Sequence, residues 1–356
     1  MVLLYITFID FGKMESGSSV RPHRMYEAFE TLGVEIKLLE CQQNRRAERR
    51  QKVKEILEWL ELNKPDLCYV EPPTGPFFNQ IDLKLLEKLH LMGVPIGLFY
   101  RDSFWLFPKW WGVPFFKRKV LIYMHKRDLK VFKRCCSIVY FPGTLSAELF
   151  SNINFRKVGV LPPGSHLILE PNKSIQRTLI YIGGVRYADG VNDLLSALES
   201  INQTCVGVNL ILVTKKNELD NLNQFDLSKP WLQIVEASGS QLEYWYKRAD
   251  VGIVPRKRHF YMDKAVPVKL FEYFSHSLPV IVTDCPEVKK IVEKEKCGII
   301  CHDNAESLLD AIKAFYDSEE NIITMKELAR SAAIKNDWTE RAKKVIKDLT
   351  GQEIEK

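Results

Sequence analysis

Short apolar runs alternate with amphipathic stretches along most of this chain. In the first half Val2–Ile9, Val34–Leu39, Asp66–Val70, Val94–Tyr100, Ser137–Phe141 and Val158–Leu161 read as strands. Between them apolar positions recur at helical spacing. This holds up to Leu32, where Gly33 is a natural C-cap, then over Arg45–Leu62, over Leu83–Met92 and in a basic segment ahead of Ser137. The second half repeats the plan. Leu179–Ile182, Asn209–Val213, Leu232–Val235, Asp250–Pro255, Pro279–Thr283 and Gly298–Cys301 read as strands. Val191–Ile201, Gln241–Arg248, the stretch from Pro267 to Ser277, Glu287–Glu293, Ala305–Tyr316 and Glu340–Leu349 read as helices. Runs of Val, Ile and Leu without polar alternation suit parallel strands covered on both faces. The alternation predicts a doubly wound α/β architecture. A turn at Pro162–His166 and a polar linker at Glu170–Gln176 divide the chain into two such halves, with no sequence repeat between them.

Ligands of such sheets sit beyond the carboxyl ends of the strands, so the loops there carry the candidate chemistry. The most informative begins at Asp263: D-K-A-V-P-V-K-L-F-E-Y-F-S-H-S-L-P-V-I-V-T-D-C-P. Pro267 suits the first turn of a helix, and Leu270, Phe271 and Phe274 form its core-facing stripe. Lys269 and Glu272, three apart, share one face near the helix start, where an anion is favoured. A Lys there can hold a phosphate, and a Glu one turn on can accept from sugar hydroxyls. The alternative is an ordinary surface ion pair, which is worth little.

The run K-L-F-E-Y-F-S-H-S-L-P-V-I-V-T-D resembles the donor-site segment of the retaining glycosyltransferases of group 1, which have the GT-B fold. The resemblance implies two Rossmann-like domains facing a cleft. Residues 1–166 would form the acceptor domain and 167–336 the nucleotide-sugar domain, and a terminal helix, 337–356, would cross back to the first. It implies that Glu272 binds the donor ribose and that Pro267, Lys269 and Leu270 belong to the donor site. The strand A-D-V-G-I-V-P, ending at Pro255, is also very like the family's. So is the glycine loop from Gly183, where Gly184 allows close backbone approach and Arg186 is placed to meet a diphosphate. The family usually follows that Arg with Lys-Gly. Here Asp189-Gly190 stands there, and Lys264 and Lys269 are the possible substitutes. Glu236 and Ala237 fall where relatives hold the base. Many relatives carry a second Glu eight residues before the first, and Lys264 occupies that place.

In the first half, Gly17 and Ser18 sit where a strand gives way to a helix, where backbone N–H groups can face a phosphate or sugar oxygen of the donor, and the family has a glycine-containing loop there. Arg21 and Arg24 follow, as anion contacts or as solvated helix charges. Asp102 ends a strand where many relatives have His-Asp, and Arg101 replaces the His. Asp102 would orient the acceptor or cap the next segment. Arg186, Lys269 and Asp102 are the candidate catalytic residues. Trp105, Trp110 and Trp111, followed by Lys117, Arg118 and Lys119, suit a membrane headgroup layer. The alternative is that these aromatics pack under a long connection. Three Trp in seven residues are hard to bury in one loop.

Composition narrows the classes. A length of 356 residues with 46% hydrophobic and 27% charged residues supports two ordinary cores and excludes disorder. The net charge of +6 is concentrated in residues 1–165, which hold 25 Lys and Arg against 17 Asp and Glu, and so fit an anionic partner. The eight Cys show no C-x-x-C or zinc spacing and read as reduced and mostly buried, hence cytosolic. No signal peptide or spanning run is recognised. With no D-x-D motif suited to a donor metal, no metal and no cofactor are expected beyond the nucleoside diphosphate sugar as substrate. The resemblance implies retaining glycosyl transfer to a glycan or lipid-linked acceptor at the inner face of the membrane, in cell-surface polysaccharide assembly, with no nucleic acid partner. The alternatives are a non-catalytic GT-B subunit that binds a glycan or polypeptide, and a sugar-nucleotide epimerase.

Overall fold

The computed structural model describes residues 1–11, 17–107, 111–168, 174–203 and 207–354. The chain divides into two compact units, Met1–Pro162 with Trp338–Lys356, and Pro163–Asp337.

The first unit opens with β1 (Val2–Thr7), α1 (Gly17–Thr31), β2 (Glu35–Leu39), α2 (Arg46–Leu62) and β3 (Leu67–Glu71). It continues with α3 (Gln80–Leu91), β4 (Ile96–Phe99), α4 (Phe115–Cys135), β5 (Ile138–Phe141), α5 (Thr144–Glu148) and β6 (Val158–Val160). The six strands are parallel in the order β2-β1-β3-β4-β5-β6. Every residue of β3 is buried, as a strand covered on both faces requires.

The second unit runs β7 (Thr178–Ile182), α6 (Val191–Gln203), β8 (Asn209–Val213), β9 (Leu232–Val235), α7 (Leu242–Tyr246) and β10 (Val251–Val254). Then come α8 (Val268–Ser275), β11 (Val280–Thr283), α9 (Pro286–Glu295), β12 (Gly298–Cys301), α10 (Ala305–Phe315) and α11 (Glu319–Lys335). Its parallel order is β12-β11-β10-β7-β8-β9. The last helix, α12 (Trp338–Thr350), belongs to the first unit. There Trp338, Ala342, Val345 and Ile346 join Leu3, Tyr5 and Phe29 in one core.

Four details depart from the sequence reading. Pro267 is the N-cap of α8, with φ −76° and ψ 138°, so the helix begins one residue later. The basic residues Lys117, Arg118 and Lys119 lie inside α4, a helix of 21 residues. Helix α11 has no counterpart in the hydrophobic pattern, because its buried face is Ile322, Lys326, Ala329, Ala332 and Ala333. Three alanines and a lysine leave little amphipathic signal, and the lysine is buried because it pairs with Asp250 at 3.1 Å. Trp105 is not on the surface. It is 6% exposed, stacks on His125 at 4.9 Å and donates its indole N–H to Tyr100 Oη at 2.9 Å. Trp111 is half-buried against the same cluster, and Trp110 lies outside the described residues. Among the described residues, the exposed apolar side chains of this region are instead Phe104, Phe115, Phe116, Val120 and Tyr123. Seven cysteines are free and buried, and Cys205 lies outside the described residues. Among the described residues no helix is long and apolar enough to cross a membrane.

Candidate functional sites

In each sheet the chain reverses its direction of progress once, and the crevice at that switch point is where ligands of open α/β sheets bind. In the second unit it lies between β7 and β10. Beyond β7 the backbone turns through Gly183, with φ +144°. A Cβ added there would lie 2.8 Å from Lys269 Nζ. The glycine thus lets the ammonium lie against the main chain. Lys269 comes from the first turn of α8, and its Nζ sits 4.0 Å from the centre of the Tyr181 ring. Burial, and then the neighbouring Arg256 charge, bring this ammonium down to about 7. An anion bound here would relieve both effects.

Arg256 follows β10 and was not among the residues singled out in the sequence. Its Nε and Nη1 are buried and have no hydrogen-bond partner, an unusual state for a guanidinium. Its carbonyl accepts from Thr283 Oγ1 at 2.5 Å, which fixes its backbone to the end of β11. Gly190 brings the two strand ends together. It has φ +74°, and an added Cβ would lie 1.6 Å from the carbonyl oxygen of Pro255. The sequence signal for Arg256 was its place directly after the A-D-V-G-I-V-P strand.

The other donor candidates surround this pair unevenly. Arg186 is 76% exposed and reaches Glu218 at 3.4 Å. The turn that carries it is lined with carboxylate: Arg186 N–H donates to Asp189 Oδ2 at 3.2 Å, and Glu218 Oε2 lies 3.5 Å from the Val185 nitrogen. Glu272 is half-buried on α8, beside Tyr246, whose phenol is pushed up by burial and then by this carboxylate. Leu270 is fully buried, and its N–H donates to the Pro267 carbonyl at 3.3 Å. Lys264 Nζ stands 4.5 Å above the Phe260 ring. Glu236 is exposed and Ala237 half-buried just past β9. Gly184 lies 3.1 Å, from an added Cβ, to Asp189 Oδ2.

The switch point of the first unit lies between β1 and β3. A cavity of about 590 Å³ opens there, and its polar lining includes Asp10, Gln43, Arg45, Glu71 and Arg101. Glu71 is buried and held by Arg21 Nε at 3.0 Å and by the Tyr69 hydroxyl at 2.7 Å. The Arg21 guanidinium stacks 3.5 Å from the Phe99 ring centre. Thr7 Oγ1 is buried without a partner on the wall of the same cavity. Asp102 is half-buried beside Arg101 at 3.3 Å. Gly17 and Ser18 form the first turn of α1, and their side chains lie outside the described residues. Arg24 pairs with Glu27 on its own helix at 2.9 Å. Among the described residues no group of His, Cys, Asp and Glu is arranged to hold a metal ion.

Residues 176–318, less than half of the chain but most of its second unit, match the family model described as glycosyl transferases group 1. No curated protein matches the chain in sequence. Among solved structures it is similar to HepE of Anabaena in complex with UDP, with a TM-score of 0.64 at 12% identity over 99% of this chain and 100% of that one. The UDP-glucose complex of HepE gives 0.63 at 13% over the same shares. The α,α-trehalose 6-phosphate synthase of Burkholderia multivorans gives 0.62 at 12%, over 99% and 98%. The fold is therefore GT-B, two Rossmann-like units, as the group 1 resemblance implied.

Proposed function

We propose that this protein transfers a sugar from a nucleoside diphosphate sugar to an acceptor hydroxyl. The observation that carries this reading is the pair Lys269 and Arg256 at the switch point of the second unit. One is a cation brought down to about 7, the other a guanidinium with two buried nitrogens unused. Both lack what a diphosphate supplies. HepE binds UDP and UDP-glucose on the same fold, and the family match covers this unit. The leaving diphosphate would be stabilised by Lys269 and Arg256, with Arg186 swinging in from solvent, which is electrostatic catalysis. Glu272 would accept from the ribose hydroxyls. The anomeric carbon would lose its bond to phosphate oxygen and gain one to the acceptor oxygen. The acceptor proton would pass to the departing phosphate, with retention and without a metal. The polar cavity of the first unit would take a glycan or lipid-linked acceptor, with Asp102 at its border. Lys117, Arg118 and Lys119, now beside Phe115 and Phe116, would touch an anionic membrane surface.

One observation favours a second reading, a non-catalytic GT-B partner. Asp189 and Glu218 line the glycine turn with negative charge where a diphosphate would approach. Calorimetry with UDP, GDP and their sugar conjugates separates the two. The transferase reading expects binding by the wild type and a loss of about 1.5–3 kcal/mol in Glu272→Ala. Absence of nucleotide binding, or an unaffected variant, moves the partner reading to first place.

A further inference from the structure

Helix α4 carries a surface that the donor chemistry does not use. Phe116, Val120 and Tyr123 are 83%, 59% and 72% exposed and recur at i, i+4 and i+7, so they share one face. Lys126, Lys130 and Lys133 repeat the same spacing further along the helix and form a neighbouring stripe, turned by roughly 80° about the helix axis. The two arginines nearby are neutralised, Arg127 by Asp128 and Arg134 by Glu87. The three lysines have no hydrogen bond or ion pair among the described residues.

Beside these lysines lies a groove of about 410 Å³, within the range of small-molecule sites. Its floor is apolar: Trp105, Leu106, Leu129, Leu149, Phe150 and Ile153. Lys126, Lys130, Lys133 and Asn152 form its rim. An apolar trough edged by unneutralised ammonium groups matches one ligand chemistry, a hydrocarbon chain ending in an anionic head. Lysine stems also cover apolar surface while their heads stay in water, so the rim can follow a chain into the trough.

We propose that this groove holds the hydrocarbon chain of an anionic membrane lipid, with the three lysines on its phosphate and Phe116, Val120 and Tyr123 in the headgroup layer. The groove extends the membrane contact proposed above and rests on it, whereas the donor site is independent of it.

The test uses the full chain with vesicles of phosphatidylcholine, with or without phosphatidylglycerol. Sedimentation is expected only with the anionic lipid. The triple variant Lys126→Gln, Lys130→Gln, Lys133→Gln should bind roughly a hundredfold more weakly. Phosphatidylglycerol brominated in its acyl chains should quench Trp105, with that quenching absent in Trp105→Phe. Asn152→Trp, an exposed rim position, should fill the groove and weaken binding while all three lysines remain. An unchanged circular dichroism spectrum and an unchanged thermal unfolding curve for each variant would show that folding is intact. Vesicle binding that Asn152→Trp leaves untouched, with no quenching of Trp105, would overturn the groove while leaving a purely electrostatic membrane contact. No binding to anionic vesicles, or equal binding to neutral ones, would overturn both.

Discussion

Lys269 lets the donor-site argument be tested by pH. Its ammonium ordinarily titrates at 10.5, and burial with Arg256 nearby brings it to about 7. At about 1.4 kcal/mol per unit, holding the charge in the free protein costs at most about 5 kcal/mol. Solvent reaches part of this half-buried side chain, which reduces the cost. The sign follows from linkage. Between pH 7 and 10.5 the unfolded chain binds more protons than the folded one. Stability from this group therefore rises with pH across that window, and the penalty is complete below pH 7. Lys269→Met should stabilise the free protein by about 1–2 kcal/mol at pH 6.5, with the gain vanishing toward pH 10. The same variant should lose UDP-glucose, because a bound diphosphate is the counter-charge that the lysine lacks. In the wild type, binding should draw a proton onto Lys269, so affinity should fall as pH rises above 7, by up to about tenfold per unit. UDP-glucose is the right ligand, since its diphosphate does not itself titrate in this range. Calorimetry in buffers of different ionisation enthalpy would count the proton, and urea unfolding would give the stability difference. Affinity that stays flat from pH 7 to 9, or a Met variant that binds as tightly as the wild type, would refute the assignment of Lys269 to the diphosphate.

Gly190→Ala places a Cβ 1.6 Å from the Pro255 carbonyl oxygen at φ +74° and should cost about 3 kcal/mol or more, seen as a lowered Tm. Arg21→Met leaves Glu71 charged and buried, and should cost about 3–5 kcal/mol in urea unfolding; the double variant with Glu71→Gln should lose less. Burial holds His125 down at about 4 and Asp128 up at about 6, which gives opposite slopes. The neutral His125 makes stability fall on acidification between pH 6.5 and 4, whereas Asp128 makes it rise between pH 6 and 4. The two nearly cancel, so His125→Gln should leave a protein that gains stability on acidification and Asp128→Asn one that loses it, relative to wild type. Denaturation series at pH 4.5 and 6.5 would read both slopes.

The parallel sheets were legible because their strands are short, apolar and bounded by turn residues, a pattern few other structures share. Helix α11 was not, because its alanines pack by shape and contribute little contrast. The partner of Lys269 shows the same limit inside the site. Its spacing to Glu272 pointed along one helix, but its Nζ lies over Tyr181 and against Gly183, more than eighty residues earlier in the chain. Arg256 stood in plain view after β10, yet nothing local marks a guanidinium whose nitrogens will be buried without partners. Trp105 was read as surface because of its neighbours, and it is core because His125 and Tyr100 offer its ring a stacking face and its N–H an acceptor.

By itself the amino-acid order determined the alternation of strands and helices, the glycine turns at their ends and the positive charge of the first half. These depend on local periodicity and backbone preference, which a chain carries wherever it goes. The tertiary structure alone decided which cations meet at the switch point, which carboxylates line the glycine turn and which lysines are left without a counter-charge. Those outcomes depend on burial and on distances between segments far apart in sequence, and electrostatic energy is set by both.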